Sequence, residues 1–218
     1  CALTPVMVDA GFDMPHPNIV SIVVREDYAN VLEGAQAIEN ETYTVYVKVA
    51  EIVTELAAYI REMGYSAWAH HNGDTQIMAI PAMIQCGFGE LGRHGSLINP
   101  DLAANFRPAF VTTDLPLAFD APLDFGVQDY CMNCNLCRNN CPGEAIATDY
   151  IVTEGVKRWL IEMEKCYPFS RLHEAYCHIC VDVCPYVHKE NGDQDKRGMY
   201  KTYMKQRRED GYRSPNRL

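Results

Sequence analysis

The stretch CMNCNLCRNNCP, residues 131 to 142, decides how the chain is read. Cys131, Cys134, Cys137 and Cys141, followed by Pro142, give C-x₂-C-x₂-C-x₃-C-P, the run that binds [4Fe–4S] clusters in pairs and lends its fourth cysteine to the other cluster. A shorter run follows at Cys177, Cys180 and Cys184 with Pro185, and Cys166 stands upstream in place of the first cysteine of a full copy. The crossing rule then assigns Cys131, Cys134, Cys137 and Cys184 to one cluster, and Cys166, Cys177, Cys180 and Cys141 to the other. Three thiolates on a tight loop cap one face of a cube, and a distant cysteine closes the fourth corner and ties the two halves together. Structural zinc also uses paired C-x₂-C, but a tetrahedral ion has no use for a fourth cysteine with proline in duplicate.

Working outward, eight of the ten cysteines lie between positions 131 and 184, while residues 1 to 130 hold only Cys1 and Cys86. A secreted disulfide scaffold would spread its bridges over a short chain with a poor core, so the clustering favours metal, and Cys86 reads as a buried apolar thiol. At 218 residues and 48% hydrophobic content the chain can bury a real core. A formal net charge of −10 disfavours nucleic acid as a partner, because phosphate binding needs clustered Lys and Arg. The basic residues between Lys196 and Arg213 are interrupted by Glu209 and Asp210 and read as a solvated surface. No run reaches the ~18 to 20 apolar residues of a membrane-spanning helix. No charged segment followed by an apolar one marks a leader after Cys1, which reads as a fragment or processing boundary, with lipidation of that cysteine conceivable.

Residues 18 to 28 mix β-branched residues with a polar end and predict a core strand. From Tyr43 to Met63 apolar residues recur at Tyr46, Val49, Val53, Leu56, Ala57 and Ile60, a helical period that Gly64 stops. A short strand is expected at 65–69, a turn at HHNGD (70–74) and a helix over 77–86. GFGELGRHGSLINP (87–100) is glycine-rich, which lets backbone approach something flat or crowded; it is neither a Walker loop nor a dinucleotide fingerprint. A strand and a proline-marked linker follow over 108–127, so a domain boundary is expected near 126, dividing the chain into 1–126 and 127–218.

Together these blocks resemble the corrinoid-dependent reductive dehalogenase family, catalytic subunit. The resemblance rests on YIREMGYSAWAHHNG (59–73), GFGELGRHGSLINPDLAANFR (87–107), TTDLPLAFDAPLDFGVQDYC (112–131) and both cysteine runs, covering roughly 43–186. It implies an α+β fold: a nitroreductase-like corrinoid-binding domain, short at its N-terminus, followed by a ferredoxin-like domain with two [4Fe–4S] clusters. It implies a cobamide in its base-off form, reduced through the clusters, that removes halogen from a small organohalide, in anaerobic organohalide respiration where the member is respiratory. It further implies a tyrosine as proton donor, an arginine favouring its phenolate, and an asparagine beside the substrate; these fall on Tyr46, Arg107 and Asn72. The corrinoid would be gripped by backbone around Gly87, Gly89, Gly92 and Gly95. An external electron donor is implied, and either a small membrane-anchor subunit or a chain completing the corrinoid site. Respiratory members work on the outer face of the cytoplasmic membrane, and others in the cytoplasm. Family members usually carry a long N-terminal portion that encloses the corrinoid, whereas only 45 residues precede Tyr46 here. A fragment, a partner supplying the wall, or a shortened relative would each account for that.

On their own residues the three site positions read more plainly: Tyr46 as an aromatic on an apolar helical face, Asn72 as a turn residue, Arg107 as a surface cation. Tyrosine is nevertheless an acceptable acid at neutral pH, and a nearby cation favours its charged form. No D-x-H-x-x-G stretch replaces the lower cobalt ligand, and His70 and His71 read as a polar turn. Two other functions fit the residues: an epoxyqueuosine reductase-like tRNA-modifying enzyme, and a two-cluster electron-carrier subunit without corrinoid.

Overall fold

The computed structural model describes residues 1–31, 33, 35–153, 156–169 and 177–187. In chain order the elements are β1 (Asn18–Arg25), α1 (Tyr28–Val31), α2 (Ala35–Glu62), β2 (Ala67–His70), α3 (Ala79–Gln85), β3 (Glu90–Leu91), β4 (Leu97–Ile98), β5 (Phe106–Thr113), α4 (Val127–Asn133), α5 (Leu136–Asn139), β6 (Ile146–Thr153), β7 (Val156–Ile161), α6 (Met163–Tyr167) and α7 (Ile179–Asp182). The fold is therefore mixed α and β. The chain forms two compact units: Cys1–Leu32, Ala37–Phe88 and Asn105–Leu123 make the first, and Glu33–Gln36, Gly89–Ala104 and Asp124–Leu218 make the second. The expected cut near 126 lies close to the change of unit at 123/124, while residues 89–104 group with the cysteine-bearing half.

The first unit is built on an antiparallel sheet in the order β1-β5-β2. β5 is central because its residues are apolar on both sides, with Ala109, Phe110 and Val111 all buried. Pro108, which has no N–H to donate, sits opposite Val23 of β1, before the β2 pairing begins at His70 and Phe110. β1 stops at Arg25, short of the expected end at 28, because the Asp27 carboxylate accepts the Ala29 N–H at 3.0 Å and turns the chain into α1. α2 buries Val49, Val53, Ala57 and Ile60, one face at spacings of three and four, against Ala67, Ala109 and Val111.

α2 begins at Ala35, eight residues before the apolar period does. Its extra turns are held by polar contacts that periodicity does not register: Glu41 accepts the Asp27 N–H and an Asn30 amide hydrogen, both at 2.8 Å. The helix ends as expected. Gly64 takes φ +93°, and the Tyr65 N–H reaches back to the Ile60 carbonyl at 3.3 Å, closing the last turn. Cys86 is buried, as read from the sequence, but it is no free thiol: it forms a disulfide with Cys1, Cα to Cα 5.0 Å. The pairing escaped the sequence reading because the partners lie 85 residues apart.

In the second unit the glycine-rich block folds into the β3–β4 hairpin, and β6 and β7 make a second hairpin. Short helices after each ribbon carry Cys131, Cys137, Cys166 and Cys180. Packing comes from aromatic pairs, Tyr150 stacked on Trp159 at 3.7 Å and Tyr130 edge-on to Tyr186 at 5.3 Å. The basic stretch after residue 188 falls outside the described residues.

Candidate thiol cradle and tyrosine site

The first cysteine run winds through two short helices. Cys131 is buried in α4, Cys134 follows that helix with its N–H on the Tyr130 carbonyl at 2.9 Å, and Cys137 is buried in α5. Cys141 comes one turn later, its sulfur accepting the Ala145 N–H at 3.4 Å. In the second run Cys166 lies in α6, Cys180 in α7, and Cys184 just beyond with its N–H on the Val181 carbonyl at 2.9 Å. All eight are without a disulfide.

Their mutual influence shows who neighbours whom. Burial raises the Cys131 thiol well above the ordinary range, an Arg93 backbone hydrogen bond pulls it down, and Cys184, Cys137 and Cys134 raise it further. Burial also raises Cys166, followed by Cys141 and Cys177. Cys180, pushed up to about 12 chiefly by burial, feels Cys137 and then Cys177, Cys166 and Cys141. These influences link Cys131 with Cys184, Cys137 and Cys134, link Cys166 with Cys141 and Cys177, and link Cys180 with Cys137 as well as with Cys177, Cys166 and Cys141.

Among the described residues, no three His, Cys, Asp or Glu side chains converge closely enough to hold a single metal ion. Burial holds the Cys137 thiol up at about 11 and the Cys184 thiol up at about 12.

Glu90 and Arg93, from the β3–β4 hairpin, brace this cradle. The buried Glu90 carboxylate accepts N–H groups of Phe125, Gly126 and Val127 at 2.7, 2.8 and 3.1 Å, capping the helix that carries Cys131. Burial raises its pKa above the usual glutamate value, and the three N–H groups oppose that rise. Arg93, 2% exposed, donates from Nε and Nη2 to the Cys131 carbonyl at 3.1 and 2.6 Å. His94 next to it is also buried, and its Nδ1 accepts the Ser96 N–H at 3.2 Å, which puts the ring proton on Nε2. That nitrogen has no partner among the described residues, the kind of orphaned donor a cluster sulfur accepts from.

In the first unit, Tyr46 on the half-buried side of α2 faces Arg107 of β5, whose guanidinium carbon lies 5.4 Å from the ring centroid. Arg107 is not the plain surface cation its residue type suggests. It donates from Nε to the buried Glu26 carboxylate at 2.8 Å and from Nη2 to the Thr42 hydroxyl at 3.0 Å. Thr42 in turn donates to Glu26 at 3.3 Å, so strand end, helix and central strand fix one cation over the tyrosine. Asn72 lies on the exposed tip of the turn closed by reciprocal bonds of His71 and Asp74 at 3.0 and 2.9 Å, and no described contact joins it to Tyr46 or Arg107. His70, expected in a polar turn, is instead buried at the end of β2, its Nε2 on the Thr112 hydroxyl at 2.9 Å.

The segment from 130 to 187 matches the family described as a 4Fe-4S dicluster domain. Over 191 residues the chain is 32% identical to the tetrachloroethene reductive dehalogenase of Desulfitobacterium hafniense, covering 82% of this chain and 34% of that one. It belongs to the reductive dehalogenase family. A solved reductive dehalogenase described as acting by B12-dependent dehalogenation is 31% identical and superposes with a TM-score of 0.77, covering 86% of this chain and 29% of its own. The epoxyqueuosine reductase of Cyclobacterium marinum is 33% identical over 110 residues, 47% of this chain and 34% of that enzyme. The chain thus spans about a third of the length of the curated reductive dehalogenase it matches.

Within this family member, the four glycines expected to grip a corrinoid are accounted for by the chain's own packing. Gly87 has φ +75° and lies where a Cβ would come within 2.6 Å of the Ala121 carbonyl oxygen; Gly89 lies against the Ile98 carbonyl. A Cβ at Gly92 would crowd His94 and Ile98, and Gly95 has φ +83° beside Ile161. Glu26, Thr42, Glu90 and Arg93 were not read from the sequence. Glu90 and Arg93 carried a signal, as charged residues set among the glycines of the 87–100 block.

Proposed function

We propose that this chain takes part in reductive dehalogenation of an organohalide at a cobamide cobalt reduced through two [4Fe–4S] clusters. What supports it most is relatedness to a reductive dehalogenase over 82% of the chain, together with the dicluster match over residues 130–187 and the Arg107 guanidinium held beside the Tyr46 ring. When bound, the clusters pass single electrons and the base-off cobamide supplies low-valent cobalt that takes halogen from carbon. Cys131, Cys134, Cys137 and Cys184 hold one cluster; Cys166, Cys177, Cys180 and Cys141 hold the other. The net reaction consumes two electrons and one proton, replaces carbon–halogen by carbon–hydrogen, and releases halide.

Tyr46 gives its phenolic proton to the carbon. Arg107 attracts the phenolate left behind, and Glu26 and Thr42 keep the guanidinium over the ring. Asn72 sits beside the substrate by resemblance to the family. The nitroreductase-like, corrinoid-binding part corresponds to the first unit and the ferredoxin-like part to the second. The cobamide would be gripped by backbone around Gly87, Gly89, Gly92 and Gly95, positions where an added Cβ would crowd neighbouring atoms. Electrons come from an external donor, and a membrane-anchor subunit or a chain completing the corrinoid site are the further partners. Among the described residues no helix is long and apolar enough to cross a membrane.

Metal analysis and the visible spectrum of anaerobically purified protein test this reading. About eight irons with one corrinoid per chain are expected. Eight irons without cobalt would leave an electron carrier, and turnover of an epoxyqueuosine stem–loop in place of an organohalide would move the chain to the tRNA-modifying branch.

A further inference from the structure

Arg93 is a buried cation that no carboxylate among the described residues answers. Its Nη1 donates to the carbonyls of Ala147 and Thr148 at 3.0 and 2.6 Å, its Nε and Nη2 to the Cys131 carbonyl, and its guanidinium carbon lies 3.8 Å from the centre of the Trp159 ring. Neutral carbonyls and a ring face orient a guanidinium without cancelling its charge, and arginine stays protonated in any protein environment. Charges this deeply buried are held opposite an anion as a rule. The carbonyl it grips with two nitrogens belongs to Cys131, the first residue of the cysteine run that continues through Cys134 and Cys137 along α4 and α5.

We infer that Arg93 is the fixed counter-charge of the cluster held by Cys131, Cys134, Cys137 and Cys184, and that it raises the reduction potential of that cluster. The inference rests on the cluster reading proposed above. A cubane held by four thiolates is net negative and gains one more negative charge on reduction, so a fixed cation stabilises the reduced state more than the oxidised one. Net charge and hydrogen bonds around the sulfurs are two of the levers by which proteins set such potentials. Four backbone hydrogen bonds and the Trp159 ring fix the distance of this cation, which makes its effect constant rather than an average over rotamers. Arg93 is a positioning residue here, since it acts through the cluster and touches no substrate.

The test is a redox titration of the whole anaerobically purified protein, followed by electron paramagnetic resonance, with Arg93→Gln and Arg93→Lys beside the parent. Arg93→Gln should lower the midpoint of one cluster by a tenfold change in its oxidised-to-reduced ratio, ~59 mV for one electron. The other cluster should not move, and the shifted signal should be the one that Cys134→Ser perturbs. Arg93→Lys, which keeps the charge, should stay within threefold of the parent. Full clusters with unmoved midpoints, or equal shifts in both, would overturn the inference alone. If Arg93→Gln fails to retain its iron, Arg93→Lys decides, because a tenfold fall there would overturn the charge assignment. A parent protein lacking any cubane signal would sink the cluster reading and this inference together.

Discussion

Arg107 and Arg93 are both enclosed arginines, one in each unit, and they are held in opposite ways. Arg107 meets the Glu26 carboxylate at 2.8 Å and completes its shell with Thr42, so its charge is answered within the unit that contains it. Arg93 meets only carbonyl oxygens and an aromatic face among the described residues, so its charge is oriented but not cancelled. The contrast teaches that the partner of a buried arginine reports its task. A carboxylate makes the cation a self-contained fixture that can hold a tyrosine in place. Carbonyls make it a standing field, useful only next to something negative. Glu90 mirrors this in the second unit: a buried anion held by three N–H groups, with no cation described beside it.

The largest expected effect lies in the first unit. Tyr46→Phe keeps the ring under Arg107 and removes the proton, so dehalogenation should fall by at least ~100-fold while the cluster spectra stay intact. Unchanged turnover of an organohalide would show that the balanced arginine serves structure alone. Next is the wiring of the second unit. Cys141→Ala should damage the cluster of the second run more than its own, read as loss of one paramagnetic signal and about half the iron; preferential loss of the first-run cluster would undo the crossed assignment.

Breaking the balanced pair comes third. Arg107→Leu strands the Glu26 carboxylate, which is only 2% exposed, and should cost about 3 kcal/mol in chemical denaturation. Replacing both residues by leucine should recover most of that loss, because the penalty belongs to the unpaired charge; a double variant as weak as the single one would contradict the pairing. The smallest effect is pH-dependent. Burial, aided by His178, lowers His94 to about 4, below its ordinary 6.5. The folded protein therefore keeps this stability above pH 6.5 and loses it as pH falls toward 4, about 2 kcal/mol by pH 5. Measuring denaturation midpoints at pH 7 and 5 checks it, and His94→Gln should remove most of the difference.

Much of the site was legible in the chain before it folded. Ligand spacing is a local property, so the run from Cys131 to Cys141 pointed to iron–sulfur chemistry, and the matched dicluster family covers residues 130–187. The apolar period likewise found the buried face of α2 and its stop at Gly64, because both depend on neighbours within a turn or two. The start of that helix was missed, since Glu41 and Thr42 hold it through contacts with residues 26 to 30.

What the linear order of residues determined by itself was which side chains can bind iron, which segments alternate or wind, and which family the blocks resemble, since all of these are read over short separations. Only the tertiary structure decided the charges: that Arg107 belongs to Glu26, 81 residues away; that Arg93 belongs to the Cys131 carbonyl, 38 residues away; and that Cys86 is bonded to Cys1. Electrostatic partners are chosen by proximity and desolvation, and neither quantity exists until the sheet and the hairpins have brought distant residues together.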